Sequence, residues 1–198
     1  MQYKSLTLAS ALLGLATMAA PAAALQFDMI DLETRQSIGP AVGALNGQPQ
    51  QSSILRETVA YSGPGTPGTV VISTKERRLY FVLPGGQAVK YGVGVGRPGF
   101  EWSGTKTVSN KKEWPAWTPP AQMLKRRPDL PRHMDGGPNN PLGARAMYLG
   151  SSLYRIHGSN EPDTIGQAVS SGCIRMTNDD VTDLFERVRV GTRVTVVR

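Results

Sequence analysis

The stretch that decides the fold covers residues 154–181 and reads "YRIHGSNEPDTIGQAVSSGCIRMTNDDV". An apolar segment ending in His157 is followed by a polar stretch and then by Cys173, the only cysteine among the 198 residues. Gly172 permits the tight turn that the Ser-Ser-Gly-Cys sequence predicts. In an extended segment the side chain of Arg175 would point the same way as that of Cys173. We therefore predict a turn that presents a thiol beside a positive charge, close to the start of a helix.

The N-terminus predicts export from the cytoplasm. Residues 1–24 carry Lys4 in a short basic segment, an apolar run over about 6–20, and an Ala-x-Ala site that ends at Ala24. This pattern is typical of a cleaved signal peptide and predicts a periplasmic location. An uncleaved membrane anchor is the alternative, although the apolar run is shorter than the roughly 20 residues that a spanning helix needs.

Charge and cysteine content limit the possible partners. Without residues 1–24 the chain has 21 basic and 15 acidic residues. This excess suits an anionic surface, such as a wall polymer with free carboxylates, or serves only solubility. Export and the short basic runs argue against a nucleic-acid partner. Exported proteins usually pair their cysteines, so Cys173 predicts a free reactive thiol or an intermolecular disulfide.

Composition divides the exported chain into two regions. Residues 25–67 are rich in Gln, Ser, Gly and Pro and predict a tether, whereas residues 68–198 predict one folded domain. In that domain, short apolar and β-branched segments separated by turn residues indicate a mostly β fold. The predicted strands lie in GTVVIST (68–74), RRLYFVLPGG (77–86), QAVKYGVGVG (87–96), TKTVSN (105–110), AMYLG (146–150), LYRIHG (153–158) and TRVTVV (192–197).

Three further segments interrupt the predicted strands. Residues 113–141 contain seven prolines and two tryptophans, so we expect neither a regular helix nor a sheet there, but a long structured loop or lid. A helix is predicted from its cap at Thr177 and the apolar stripe that follows, with Gly191 as its end. A shorter helix is predicted around residues 163–169.

A nucleophilic role for Cys173 requires a lowered thiol pKa and a general base. The chain has two histidines, of which His157 ends a predicted strand 16 residues before Cys173 and His133 lies in the Pro-rich segment. A gap of this size leaves room for a short helix and a return, so we predict that His157 pairs with the cysteine. A metal hydrolase is poorly supported, because one cysteine and two histidines lack any standard ligand spacing.

Residues 154–181 closely resemble the signature of bacterial L,D-transpeptidases with the YkuD-type (ErfK/YbiS/YcfS/YnhG) catalytic domain. That signature is His-Gly, a gap of this size, Ser-x-Gly-Cys, an apolar residue and Arg. The likeness continues in "VVISTKERRLYFV", "YGVGVGRPGFEWSGTKTV", "WTPP" and "GGPNNPLGARAMYLG", so it covers about residues 68–198 and implies a β-sandwich-like domain. Two positions depart from the family: Ser171 stands where many members have His, and Trp-Ser-Gly at 102–104 replaces Thr-Pro-x-Gly.

The resemblance implies a role for each residue of the signature. Cys173 would attack the carbonyl that joins the third residue of a peptidoglycan stem, usually meso-diaminopimelate, to D-Ala, which leaves a thioester. His157 would take the thiol proton, and the carbonyl of Gly158 would orient its imidazole. The N–H groups of Gly172 and Cys173, together with Ser171, would stabilise the oxyanion.

Four other residues are candidates for substrate contacts. Arg175 would hold a stem carboxylate or shape the turn, with neither role favoured. Ser170 would hydrogen-bond in the site. Tyr154 and Trp117 would line a substrate groove or pack in the core.

The resemblance leaves the acceptor of the acyl group open. An amine from a second stem would give a 3→3 cross-link, an amine on an outer-membrane protein or lipoprotein would anchor that protein to the wall, and water would give carboxypeptidase activity. A wall-binding module without turnover is the alternative outside the enzymes. The resemblance further implies that no cofactor is needed and that carbapenems inhibit the protein.

Overall fold

The computed structural model describes residues 54–198 and two short strands upstream, at 28–30 and 37–40. The signal peptide predicted over residues 1–24 lies outside the described residues, as does part of the tether predicted over 25–67. No helix in the described part of the chain is long and apolar enough to cross a membrane.

The described residues contain thirteen strands and three short helices. The strands are β1 (Asp28–Ile30), β2 (Ser37–Pro40), β3 (Glu57–Ala60), β4 (Val70–Ser73), β5 (Arg78–Leu83), β6 (Gln87–Gly92), β7 (Val95–Gly96), β8 (Gly104–Glu113), β9 (Arg145–Leu149), β10 (Arg155–His157), β11 (Ala168–Ser170), β12 (Ile174–Arg175) and β13 (Arg193–Val197). The helices are α1 (Ala121–Arg126), α2 (Asn178–Arg187) and a 3₁₀ turn (Pro162–Thr164). This content confirms the predicted mostly β fold with one or two short α-helices.

The strands assemble into one large mixed sheet. Its order in the described residues is β12-β10-β9-β8-β13-β4-β5-β6-β3, and β1–β2 and β7–β11 form separate pairs. One core cluster contains side chains from both flanks of this order, such as Tyr91 of β6 and Ile174 of β12. The sheet therefore curls around a single core, which confirms the predicted β-sandwich-like domain.

The sheet also includes residues upstream of Gly68. Strand β3 pairs antiparallel with β6 and forms one edge of the sheet, although it lies in the stretch predicted as a tether. Lys90 of β6 and Glu57 of β3 form an ion pair of 2.6 Å across the two strands. Strand β8 runs on to Glu113, beyond the weak strand that was predicted at 105–110.

The helix predicted from its cap at Thr177 is present as α2. The N–H of Asp180 donates to Oγ1 of Thr177 over 3.1 Å, which confirms the N-cap. The apolar stripe packs on the core and consists of Val181, Leu184, Phe185 and Val188. The predicted end at Gly191 is wrong, because Val188 is already extended (φ −88°, ψ 141°) and Arg187 is the last helical residue.

The Pro-rich segment, residues 113–141, contains a helix that the prediction excluded. Helix α1 fits between Pro120 and Pro128, where no other proline interrupts it. Proline is tolerated just before a first helical turn, because its missing N–H would have no partner there. The segment has a small core of its own, made with one residue beyond it: Trp117, Met123, Leu130 and Leu142.

The second predicted helix, around residues 163–169, is wrong. The backbone makes only the 3₁₀ turn at Pro162–Thr164 and then enters β11, which pairs in parallel with β7. Gly166 adopts a φ of +89°, which a right-handed helix does not contain. This positive φ turns the chain toward the strand that precedes the cysteine.

Candidate active site

His157 and Cys173 are brought together by two neighbouring parallel strands. His157 ends β10 and pairs in register with Arg175 of β12, and Cys173 directly precedes β12. Because side chains alternate between the two faces of a sheet, those of His157, Arg175 and Cys173 share one face. His157 and Cys173 both line a cavity of about 370 Å³.

The surroundings of His157 keep its imidazole neutral. The side chain is only 5% exposed, and its Nδ1 lies 2.5 Å from the carbonyl oxygen of Gly158. Since a carbonyl can only accept, Nδ1 carries the proton and Nε2 of the neutral ring keeps a lone pair. Burial, followed by the charge of Arg175, lowers the pKa of His157 to about 3. The neutral form is the one that can take a proton from a thiol.

This lowered pKa predicts a pH-dependent stability. The unfolded chain binds a proton at His157 below about pH 6.5 whereas the folded chain does not, so the free energy of unfolding should decrease as the pH falls toward 3. From this group alone the slope should steepen below pH 6.5 and approach about 1.4 kcal/mol per pH unit near pH 5. Urea unfolding of the wild type and of His157→Gln, between pH 7 and pH 5, measures the difference.

The matched control is His133→Gln. His133 is exposed in the Pro-rich segment, where its ring nitrogens contact Thr118 and Asp135. It does not line the cavity. The control should keep the slope of the wild type, and a His157→Gln variant with an unchanged slope would contradict the assignment.

The turn before Cys173 is closed by the hydroxyl of Ser170. Its Oγ accepts the N–H of Gly172 over 3.0 Å and donates to the carbonyl of Cys173 over 2.6 Å. The N–H of Gly172 is therefore already hydrogen-bonded within the turn. It would have to break its bond to Ser170 before it could donate to an oxyanion. The other donors that were predicted for this role are the N–H groups of Cys173 and Ser171.

Trp102 holds the same turn from outside, and the sequence did not assign it a role. Its Nε1 donates to the carbonyl of Gly172 over 2.8 Å. Its ring stacks on Tyr154, with centroids 4.7 Å apart and planes 4° apart. In the sequence, residues 102–104 stood out because they depart from the family pattern. That departure did not indicate which contact Trp102 makes. Tyr154 thus lines the cavity and also supports the turn.

Arg175 is bound to a partner that the sequence did not reveal. Its Nη1 donates to Oε2 of Glu161 over 2.8 Å, and both side chains are at most 6% exposed. Its backbone also exchanges two hydrogen bonds of 2.9 Å with Gly94. Of the two predicted roles, these contacts favour shaping the turn over holding a substrate carboxylate. No sequence motif indicates a role for Glu161. It lies at the N-cap of the 3₁₀ turn, and this turn places its side chain at the site.

The remaining walls of the cavity come from the Pro-rich segment and the turn after β7. Trp117 lines the cavity and is also part of the small core of its segment, so both predicted roles describe its position. Phe100, from the turn after β7, also lines the cavity, and the guanidinium of Arg97 lies 4.2 Å from the centre of its ring. Arg97 donates to Oγ of Ser171 over 3.2 Å. Within residues 54–198 no cluster of three His, Cys, Asp or Glu side chains could hold a metal ion.

A curled β-sheet that places a cysteine and a neutral histidine in one cavity is an arrangement suited to nucleophilic acyl transfer. Residues 67–196 match the family model described as YkuD, L,D-transpeptidase catalytic domain. The chain belongs to this family of L,D-transpeptidase catalytic domains.

One curated relative carries the same family name, whereas one similar solved structure carries a different description. A probable L,D-transpeptidase, ErfK/SrfK of Escherichia coli, is 42% identical over 137 residues, which are 65% of this chain and 43% of that protein. The chain thus spans less than half the length of this curated relative. A crystal structure from Brucella melitensis, described as a probable carnitine operon oxidoreductase caia, is 44% identical with a TM-score of 0.50 and covers 74% of this chain and 96% of that one.

A third comparison concerns the fold alone. L,D-transpeptidase 3 of Mycobacterium tuberculosis, solved with a faropenem-derived adduct, is 16% identical with a TM-score of 0.52, covering 66% of this chain and 60% of that one. The description as an oxidoreductase applies to the Brucella protein. The family model that matches this chain covers both His157 and Cys173.

Proposed function

We propose that this protein is a cysteine-dependent peptidoglycan L,D-transpeptidase. The observation that carries the proposal is the placement of His157 and Cys173 on one face of neighbouring strands, lining one cavity, in a chain of this family. Cys173 is the nucleophile and His157 is its base. The substrate is a tetrapeptide stem, cut between the diamino acid and D-Ala.

The acylation step uses the lone pair on Nε2 of His157. The thiol of Cys173 gives its proton to Nε2, and the sulfur adds to the carbonyl carbon of the diamino acid. The negative charge on sulfur offsets the cost of a buried imidazolium. The tetrahedral intermediate collapses, the C–N bond to D-Ala breaks, and the imidazolium returns its proton to the leaving amine. The oxyanion is stabilised by backbone N–H groups of the turn at Cys173 and Ser171.

The second step releases the thioester to an acceptor. An acceptor amine attacks the carbonyl, His157 takes its proton, the C–S bond breaks and the thiol is restored. A second stem as acceptor gives a 3→3 cross-link, which we take as the main reaction. An outer-membrane protein or lipoprotein as acceptor gives wall anchoring, and water gives L,D-carboxypeptidase activity.

A periplasmic location is part of the proposal and is supported by the N-terminal residues. A signal peptide that is cleaved near Ala24 would deliver the protein to the periplasm, where stems are accessible and where a single cysteine has no intramolecular partner. Carbapenems and related β-lactams would acylate Cys173, as the faropenem-derived adduct of the Mycobacterium tuberculosis enzyme suggests. A role in cell-wall organisation and cell shape follows from the cross-link.

The test is incubation of the purified protein with a disaccharide tetrapeptide, followed by mass spectrometry of the intact protein and of the muropeptides. We expect release of D-Ala and a covalent adduct equal to the stem without D-Ala. A 3→3 dimer then identifies a second stem as the acceptor, and a tripeptide identifies water. Absence of both D-Ala release and acylation by a carbapenem would favour the wall-binding module instead.

A further inference from the structure

The cavity contains more positive charge than the catalytic pair requires. Of its charged side chains, Arg175 and Glu161 form a buried ion pair and offset each other. Arg126 and Arg155 also line the cavity. Neither of them has a carboxylate partner among residues 54–198, so the cavity carries two positive charges without acidic partners from the protein.

Arg155 lies next to the reacting groups. It is the first residue of β10 and directly precedes Ile156, as Cys173 directly precedes Ile174. Ile156 and Ile174 are paired across the two parallel strands, so Arg155 and Cys173 occupy corresponding positions. Its Nη1 donates to the carbonyl of Leu153 over 3.2 Å. Its Nε is buried and has no hydrogen-bond partner within the protein. A buried donor without a partner costs free energy, so the hydrogen-bonding capacity of this guanidinium is not fully used by the protein.

Arg126 reaches the cavity from α1. It is the last residue of α1, and its guanidinium lies 5.6 Å from the centre of the Phe100 ring. Phe100 itself lines the cavity and is also contacted by Arg97. The ring restrains an otherwise exposed side chain near the cavity without neutralising its charge.

We propose that Arg126 and Arg155 form a subsite for a free carboxylate of the stem peptide. This inference rests on the proposed function, which supplies the substrate class. Arginine suits a carboxylate because its planar guanidinium presents several N–H donors to both oxygens. A tetrapeptide stem offers two such groups near the scissile bond, the carboxylate on the D-centre of diaminopimelate and the terminal carboxylate of D-Ala.

The experiment measures binding rather than turnover. In a Cys173→Ala background, dissociation constants are determined by calorimetry for three tetrapeptides: the free acid, the amide at the diaminopimelate carboxylate and the amide at D-Ala. We expect one amide to bind about tenfold more weakly than the free acid, which identifies the carboxylate. Arg126→Gln and Arg155→Gln should each lose most of this preference. Arg132→Gln, an exposed arginine of the same segment away from the cavity, should keep it.

The outcomes separate this proposal from the proposed function. Equal binding of all three peptides, or an unchanged preference in both variants, overturns the subsite even if the enzyme releases D-Ala. Lack of turnover by the protein with Cys173 intact refutes the proposed function but leaves the binding preference measurable. A shift in the pH profile of Cys173 alkylation in Arg155→Gln, without loss of the preference, would assign Arg155 to the thiolate and overturn its place in the subsite.

Discussion

Cys173→Ala is expected to abolish D-Ala release from a tetrapeptide stem, with a loss of at least about a thousandfold. The chain has no second cysteine that could replace the nucleophile. The side chain is partly exposed, and its Sγ lies 3.7 Å from the carbonyl of Leu153, at the limit of a weak hydrogen bond. Its removal should therefore change the melting temperature by only a few degrees. The D-Ala assay and thermal unfolding, run on the same preparation, separate chemistry from folding.

Two variants complete the test of the nucleophile. Cys173→Ser keeps the shape but offers a hydroxyl, which is a much weaker nucleophile than a thiolate, so D-Ala release should stay near background. His133→Gln, which changes a histidine outside the cavity, should retain the activity of the wild type. Activity near that of the wild type in Cys173→Ala would refute the assigned nucleophile.

Much of the sheet was predictable because its signals are local. Strand β4 consists of three β-branched residues and a serine, all four of them buried, and β5 follows after a turn. Such apolar runs depend on neighbouring residues in the sequence and need no knowledge of the fold. The start of α2 was equally local, because Thr177 caps a backbone N–H only three residues away.

Other elements depend on partners that are distant in the sequence. Strand β3 has little apolar character and is ordered by pairing with β6, about thirty residues on. Helix α1 has six residues, which is too short to be stable alone. Its buried Met123 packs with Trp117 and Leu142, so tertiary contacts hold it. Neither element could be predicted from its own residues.

The same distinction applies to the candidate site. That Cys173 and His157 would line one cavity was predictable, because the chain has one cysteine and two histidines and few pairs were possible. Trp102 acts on a carbonyl 70 residues away, and Glu161 reaches Arg175 only after the chain has turned back. Contacts of this kind depend on the folded structure, so they cannot be inferred from a single sequence.

The shape of the turn at Gly172 is expected to matter nearly as much as the thiol. Gly172 has a φ of +104°, and an added Cβ would lie 2.6 Å from the Tyr154 ring and 3.2 Å from the carbonyl oxygen of Phe100. Backbone strain and the clash each cost about 1–3 kcal/mol. Gly172→Ala should therefore lower the free energy of unfolding by about 3 kcal/mol and activity by about a hundredfold, since small displacements of a nucleophile are that costly.

Gly191→Ala is the matched control for this effect. Gly191 has a similar φ of +92°, but an added Cβ would meet no atom within 4 Å, and the residue lies outside the cavity. This variant should lose stability through strain alone, by about 1 kcal/mol, and keep its activity. Trp102→Phe is a milder probe of the turn, because it keeps a ring on Tyr154 and removes the hydrogen bond to Gly172. If Gly172→Ala merely reproduced the result of Gly191→Ala, the geometry of the turn would not be what positions the thiol.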